Sequence, residues 1–76
     1  MRKAVGFVES KSIPVGIQTA DEMVKAGNVE LLLSTPICPG KYVIIVGGHV
    51  GPVKAAMSKA ELVSGIYLID THILDN

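Results

Sequence analysis

Short apolar segments separated by glycine and proline fill almost the whole chain, and their order restricts the fold more than any other feature. The first, Ala4 to Val8, contains β-branched and aromatic residues and is typical of a strand buried on both faces or nearly so. Glu9 to Ser12 are expected to turn the chain. Pro14 suits the first turn of a helix, because its missing N–H would be unpaired there. A strand followed closely by a helix is therefore predicted.

The segment around and after Pro14 has the spacing of an amphipathic helix that ends at Gly27 and Asn28. The positions predicted to face the core, three or four residues apart, are Ile13, Ile17, Ala20 and Val24. The positions predicted to face solvent are Gln18, Asp21, Glu22 and Lys25.

Two further strands, Val29 to Ser34 and Tyr42 to Val46, flank a connection rich in proline and glycine. The connection contains Pro36, Pro39 and Gly40, residue types that interrupt pairing between strands. We expect it to form a rigid, exposed turn that does not continue the ladder.

A second helix is predicted after Gly47 and Gly48, which are expected to end the third strand. Its apolar positions are Val53, Ala56, Met57, Ala60 and Val63. Gly65 closes this helix, and Ile66 to Leu74 form the last strand. The resulting order, β-α-β-β-α-β over residues 1–76, is typical of a single ferredoxin-like α+β domain with both helices on one face of one sheet.

The composition indicates that this domain has more apolar surface than it can bury alone. The chain has 76 residues, of which 49% are hydrophobic, and at this size folding hides only about 60% of the surface of the unfolded chain. With one cysteine there is no intrachain disulfide to support the small core. We therefore expect part of the apolar surface to contact another subunit.

Charge and hydropathy exclude several classes of partner. Seven basic and seven acidic residues give a formal net charge of zero, so nucleic acid is not an expected partner. The apolar runs are far shorter than the roughly 20 residues that cross a bilayer, and the N-terminus lacks a signal pattern. A soluble, intracellular protein is expected.

Few residues are arranged for catalysis, so the chain is predicted not to be an enzyme. The run from Gly47 to Gly51 could cradle a phosphate, but it lacks the Lys and Ser/Thr of a P-loop. The alternative is a tight turn into a helix whose first residue is His49. His49 and His72 are not spaced as metal ligands and are expected to be surface or capping residues.

Cys38 is the residue most suggestive of a function. It lies between Ile37 and Pro39 in the predicted turn, where burial in the core of the domain is not expected, although a free cysteine is commonly a small buried hydrophobe. One thiolate cannot hold an iron–sulfur cluster, which needs three or four. A rotation axis near the turn would gather one cysteine from each chain.

Several runs resemble the bacterial microcompartment shell domain, and the similarity covers nearly the whole chain. They are Ala4 to Glu9, Ala20 to Ala26, Val29 to Leu31 and Gly47 to Ala56. The run from Ile37 to Lys41 is more specific, since it resembles the first domain of the tandem-domain type found in propanediol-utilisation microcompartments. The family commonly has an acidic residue in place of His49, which weakens any prediction about capping there.

The resemblance implies a structural shell protein that forms a ring-shaped tile in the cytoplasmic microcompartment. Its central pore would be lined by Ile37, Cys38, Pro39 and Gly40. Cys38 would ligate a [4Fe-4S] cluster that the subunits share at the axis, for electron transfer or cluster passage. Lys25 would lie at the tile edge. The ring would contain six copies of the chain, or three copies of a tandem-domain chain. Other shell proteins would be further partners. The alternatives are a metabolite pore without a cluster and a small dimeric ferredoxin-like binding module.

Overall fold

The computed structural model describes residues 3–37 and 39–75. Its elements are β1 (Lys3–Ser10), α1 (Ile13–Ala26), β2 (Glu30–Ile37), β3 (Lys41–His49), α2 (Val50–Ser64), a 3₁₀ turn (Gly65–Tyr67) and β4 (Leu68–Asp75). The predicted order of strands and helices is confirmed.

The four strands form one sheet in the order β2-β3-β1-β4, and every neighbouring pair is antiparallel. Side chains alternate across a strand, so Ala4 and Val8 of β1 are buried under the helices whereas Val5 on the opposite face is 39% exposed. The predicted ferredoxin-like fold is confirmed. The prediction that β1 is buried on both faces was wrong, because both helices cover the same side of the sheet.

Helix α1 begins where predicted but buries a different face. The Ser12 hydroxyl accepts a hydrogen bond from the backbone N–H of Val15 at 3.3 Å, which caps the helix. The buried residues of α1 are Gly16, Thr19, Ala20 and Met23. Ile17 and Val24, which were predicted to face the core, are 55% and 36% exposed.

Two specific contacts select the buried face of α1. Gly16 lies so close to Tyr42 of β3 that a Cβ at this glycine would be 2.5 Å from the Tyr42 Cβ. The hydroxyl of Thr19 is hydrogen-bonded to the buried Ser64 hydroxyl of α2 at 3.0 Å. Burial of a small residue and a hydroxyl is therefore favoured over burial of Ile17.

The core lies between the sheet and the two helices. Its buried residues are Ala4, Val8, Ala20, Met23, Tyr42, Ile44, Val46, Val53, Ala56, Met57 and Ala60. The predicted apolar face of α2 is confirmed at Val53, Ala56, Met57 and Ala60, and its last turn buries Ser64 rather than Val63. Gly27 ends α1 as predicted, and a Cβ there would collide with the backbone carbonyl of Pro52.

Several predicted boundaries move when the sheet forms. β1 continues to Ser10 instead of turning at Glu9, and β3 continues through Gly47 and Gly48 to His49, because each pairs with its neighbour over its full length. β4 begins at Leu68, since the residues that follow Gly65 first complete the 3₁₀ turn.

Candidate functional site

The β2–β3 hairpin carries the predicted pore residues. β2 continues through Pro36 to Ile37, and its last pairs with β3 are Pro36 with Tyr42 and Ile37 with Lys41. The prediction that proline ends this ladder was wrong. Pro36 is accepted because β2 is an edge strand, so its missing N–H can lie on the side without a partner strand.

The tip of the hairpin is exposed, as predicted. Pro39 and Gly40 form a turn, and the φ of Gly40 is +75°, which favours glycine. Ile37 is 39% exposed, and Pro39 and Gly40 are also exposed. Cys38 lies outside the residues that the structure describes, so its role as a ligand stays a prediction.

The base of the hairpin is fixed by a hydrogen bond that the sequence did not reveal. The Tyr42 hydroxyl and the Ser34 hydroxyl are 2.6 Å apart. Tyr42 is only 6% exposed and packs against Gly16. Tyr42, which is buried, hydrogen-bonded and in contact with α1, therefore lies only two residues after Gly40 of the tip.

These contacts join the start of β3 to α1. One charge pair lies beside it: Lys41 Nζ is 3.8 Å from a Glu9 carboxylate oxygen across the sheet. Lys41 begins β3 directly after Gly40 of the tip.

Lys25 lies in the last turn of α1, where a cation interacts favourably with the helix dipole. Its Nζ is 2.8 Å from a carboxylate oxygen of Asp21, one turn earlier. The hydrogen bond to Asp21 and the charges of Asp21 and Glu22 raise the pKa of Lys25 above its ordinary value. Both side chains are more than half exposed, so this pair is a surface feature.

The run from Gly47 to Gly51 does not form the predicted tight turn. Gly47 and Gly48 belong to β3, and α2 begins at Val50 rather than at His49. His49 is the N-cap residue, but its side chain makes no capping hydrogen bond. Its Nδ1 atom is buried and has no hydrogen-bond partner among residues 3–37 and 39–75.

His72 lies on the exposed face of β4 and is paired with Asp70. The two side chains approach to 2.9 Å, and the His72 ring is 6.0 Å from the ring of Phe7. No group of three or more potential metal-ligating side chains occurs within the described part of the chain.

The sheet face opposite the helices has an apolar centre, which we call the open sheet face. Val5, Phe7, Ile45, His72 and Leu74 line a shallow depression of about 580 Å³ there, together with Ile73 at its edge. Leu74 is 74% exposed. The sequence predicted excess apolar surface, and Val5 and Leu74 of this face belong to it.

Among the described residues, neither helix is long and apolar enough to cross a membrane.

The element order, the antiparallel sheet and the single helix layer define a ferredoxin-like α+β domain. The chain belongs to the BMC domain family, whose profile matches residues 4–76.

Two relatives are shell proteins. The bacterial microcompartment shell protein PduT of Citrobacter freundii is 41% identical over 76 residues, which are 100% of this chain and 41% of that protein. The carboxysome shell protein CcmK2 of a Synechocystis species is 37% identical over 78 residues, covering 97% of this chain and 76% of that protein.

A solved structure has the same fold. The crystal structure of a microcompartment protein from Desulfitobacterium hafniense superposes with a TM-score of 0.92 at 38% identity, covering 95% of this chain and 40% of that one. This chain thus spans about two fifths of the length of PduT and of the crystallised protein.

Proposed function

We propose that this chain is a structural, non-catalytic shell protein of a bacterial microcompartment, and that its copies form a ring-shaped tile. The family membership over residues 4–76 and the similarity to named shell proteins support this proposal. In the ring, the β2–β3 hairpin points toward the axis and its tip lines a central pore. The similarity to PduT favours a propanediol-utilisation microcompartment.

The observation that carries the proposal is the hairpin itself. Its tip is exposed at Ile37, Pro39 and Gly40, while Tyr42 at its base is buried and hydrogen-bonded to Ser34. An exposed turn supported by a buried, hydrogen-bonded side chain is what we expect of a segment that lines a pore. Six copies, or three copies of a tandem chain, would surround the axis.

The finer part of the proposal is that Cys38 ligates a [4Fe-4S] cluster at this axis. One chain offers a single cysteine, whereas such a cluster is commonly held by four thiolates. Rotational symmetry is the simplest way to bring several copies of one thiolate together. Three cysteines would leave one iron with another ligand, and six could not all ligate one cluster equivalently.

A cluster bound by Cys38 would give the pore a redox function or a cargo. Lys41 follows Cys38 by three residues in the sequence, and its Nζ is 3.8 Å from a Glu9 carboxylate oxygen. A bound cluster would supply one-electron transfer across the shell or be the cargo that passes through it. The chain itself would position the thiolates and close the pore around them.

Lys25 is proposed to act at the edge between neighbouring tiles. It is exposed, and its only close charge partner in the described structure is Asp21 on the same helix. Because an exposed pair of this kind contributes little to folding, Lys25 is available for contacts with another tile. Other shell proteins would bind at the same edge.

Cys38→Ser tests the cluster proposal. After anaerobic reconstitution with iron and sulfide, the wild-type chain should contain about one cluster per ring, and the reduced sample should give an electron paramagnetic resonance signal. Cys38→Ser should lose the cluster but keep the ring, since the hairpin is held by Tyr42 and its neighbours rather than by sulfur. Lys25→Ala is the control, because it leaves the hairpin unchanged and should bind the cluster normally.

The other outcomes identify the alternatives. Equal iron and sulfide contents in wild type and Cys38→Ser would contradict ligation by Cys38. A wild-type ring that binds no cluster, with a reduced and free thiol, would favour a metabolite pore. A stable species of two copies would favour the small dimeric binding module.

A further inference from the structure

We propose that the outer edge of β4 pairs with β4 of a second copy of the chain, in antiparallel orientation and with a twofold axis at Thr71. This contact is additional to the proposed ring. A twofold contact closes with two copies, so it does not by itself build a ring of six. It would join a chain of one ring to a chain of another.

The two edges of the sheet differ in their protection against pairing. β2 and β4 are the outer strands. β2 contains Pro36 and an irregularity between Leu31 and Leu33, and such features prevent pairing between sheet edges. β4 (Leu68–Asp75) has eight residues, and none of them is proline, lysine or glycine. β4 is therefore the edge on which another strand is able to pair.

The backbone N–H of Thr71 is directed away from β1. It donates a hydrogen bond of 2.9 Å to a carboxylate oxygen of Asp70, a side chain of its own strand. Alternate residues of an antiparallel strand direct their N–H groups to the same side, so the N–H of Ile73 is also directed outward and that of His72 is directed toward β1. The outer edge of β4 thus presents backbone donors at Thr71 and Ile73.

The Asp70 carboxylate is able to release the N–H of Thr71. Its other oxygen is 2.9 Å from His72 Nε2. The side chains of Asp70 and His72 are 53% and 63% exposed, and exposed pairs of this kind contribute little to folding. A backbone carbonyl of a second copy would therefore replace this carboxylate at a small cost in free energy.

The side chains of β4 are self-complementary in the proposed register. With the twofold axis at Thr71, Asp70 of each copy lies opposite His72 of the other, and this pair occurs twice by symmetry. Ile69 lies opposite Ile73, and these side chains are 42% and 39% exposed. Thr71 lies opposite its equivalent. Pairs of opposite charge, of β-branched residues and of threonines all stabilise neighbouring strands.

Other registers lack this match. An axis at Asp70 would place two carboxylates opposite each other, which is destabilising. An axis at His72 would place Asp70 opposite the apolar Leu74. The axis at Thr71 also makes Thr71 and its equivalent a hydrogen-bonded pair, because the N–H of each is directed outward. The side chains and the backbone therefore favour the same register.

Thr71→Cys tests this register in a Cys38→Ser background, which removes the chain's own thiol. The two residues of a hydrogen-bonded antiparallel pair have Cα atoms about 5.5 Å apart, which is within the range that a disulfide spans. Mild oxidation should therefore link two copies of the Thr71→Cys chain. The product is measured by electrophoresis without reductant.

Ile73→Cys in the same background is the matched control, since Ile73 lies on the same edge of β4. In the proposed register it is four residues along the strand from its equivalent, or about 14 Å, which a disulfide does not span. Ile73→Cys should therefore stay unlinked. Equal linking of the two variants, or no linking of a folded Thr71→Cys chain, would overturn the contact. Native mass spectrometry of the same samples shows whether rings form, so linked pairs without rings would contradict only the ring.

Hydrogen exchange of the wild-type chain tests the contact without a variant. The amide of Ile73 should exchange slowly at high protein concentration and become fast on dilution. The amide of His72, which is directed toward β1, is the internal control and should remain protected at both concentrations. Fast exchange of Ile73 at every concentration, with His72 still protected, would contradict pairing at this edge.

Discussion

Substitution of Gly16 by alanine tests the packing that fixes the base of the hairpin. A Cβ at Gly16 would lie 2.5 Å from the Tyr42 Cβ and 2.6 Å from two of its ring carbons, whereas carbon atoms in contact are about 3.5–4.0 Å apart. One of the two residues must move by about 1 Å. Tyr42 is poorly able to do so, because it is paired with β1 and β2 and hydrogen-bonded to Ser34.

The expected loss of stability combines two opposing effects. Overpacking of a core typically costs about 1–3 kcal/mol, and the restricted Tyr42 places Gly16→Ala near the upper value. Alanine is favoured over glycine in a helix by about 1 kcal/mol. The net loss is therefore about 2 kcal/mol, which corresponds to a fall in melting temperature of about 8–16 °C for a domain of this size.

Gly51→Ala is the matched control, because a Cβ at Gly51 has no atom within 4 Å. It lies in α2 and should leave stability unchanged or raise it by up to about 1 kcal/mol. Thermal unfolding followed by circular dichroism compares the variants at one protein concentration, since assembly makes the midpoint depend on concentration. A Gly16→Ala protein as stable as Gly51→Ala would refute the close packing of α1 on Tyr42.

Three further outcomes are expected. Thr19→Val should lower the free energy of unfolding by about 1–3 kcal/mol, because it leaves the buried Ser64 hydroxyl without its partner; an unchanged urea midpoint would contradict that hydrogen bond. Lys25→Ala should leave melting nearly unchanged while extended sheets of tiles, seen by electron microscopy, become rarer, and loss of folding with normal sheets would reverse the assignment. Asp21 raises the pKa of Lys25, so the contribution of this pair to the free energy of unfolding should be constant between about pH 7 and 9 and be lost only as pH rises through the raised pKa. A difference in stability between wild type and Lys25→Ala that changes within that range would contradict this pairing.

The sequence was sufficient for the order of elements and insufficient for the choice of the buried face of α1. Hydrophobic periodicity and glycine or proline at the boundaries locate strands and helices, because these are local properties. Ile17 is apolar and correctly spaced, yet it is exposed. The contacts that decide its position, from Gly16 to Tyr42 and from Thr19 to Ser64, join residues far apart in the chain.

The sequence predicted that the tip of the hairpin is an exposed turn. It did not predict that pairing between β2 and β3 continues through Pro36 to Ile37. Whether a proline interrupts a strand depends on whether that strand lies at the edge, and the position of β2 in the sheet is not a local property. The same reason explains why Pro36 pairs with Tyr42. The proposed role of Cys38 depends on neighbouring copies, which no property of one chain specifies.

The mass of the wild-type chain in solution tests the central claim most directly. Native mass spectrometry of a reduced, anaerobic sample should give one assembled species of six 8.0 kDa chains, about 48 kDa. A single species of 8.0 kDa, with a circular dichroism spectrum that shows the intact fold, would contradict the proposal that this chain forms a ring-shaped tile.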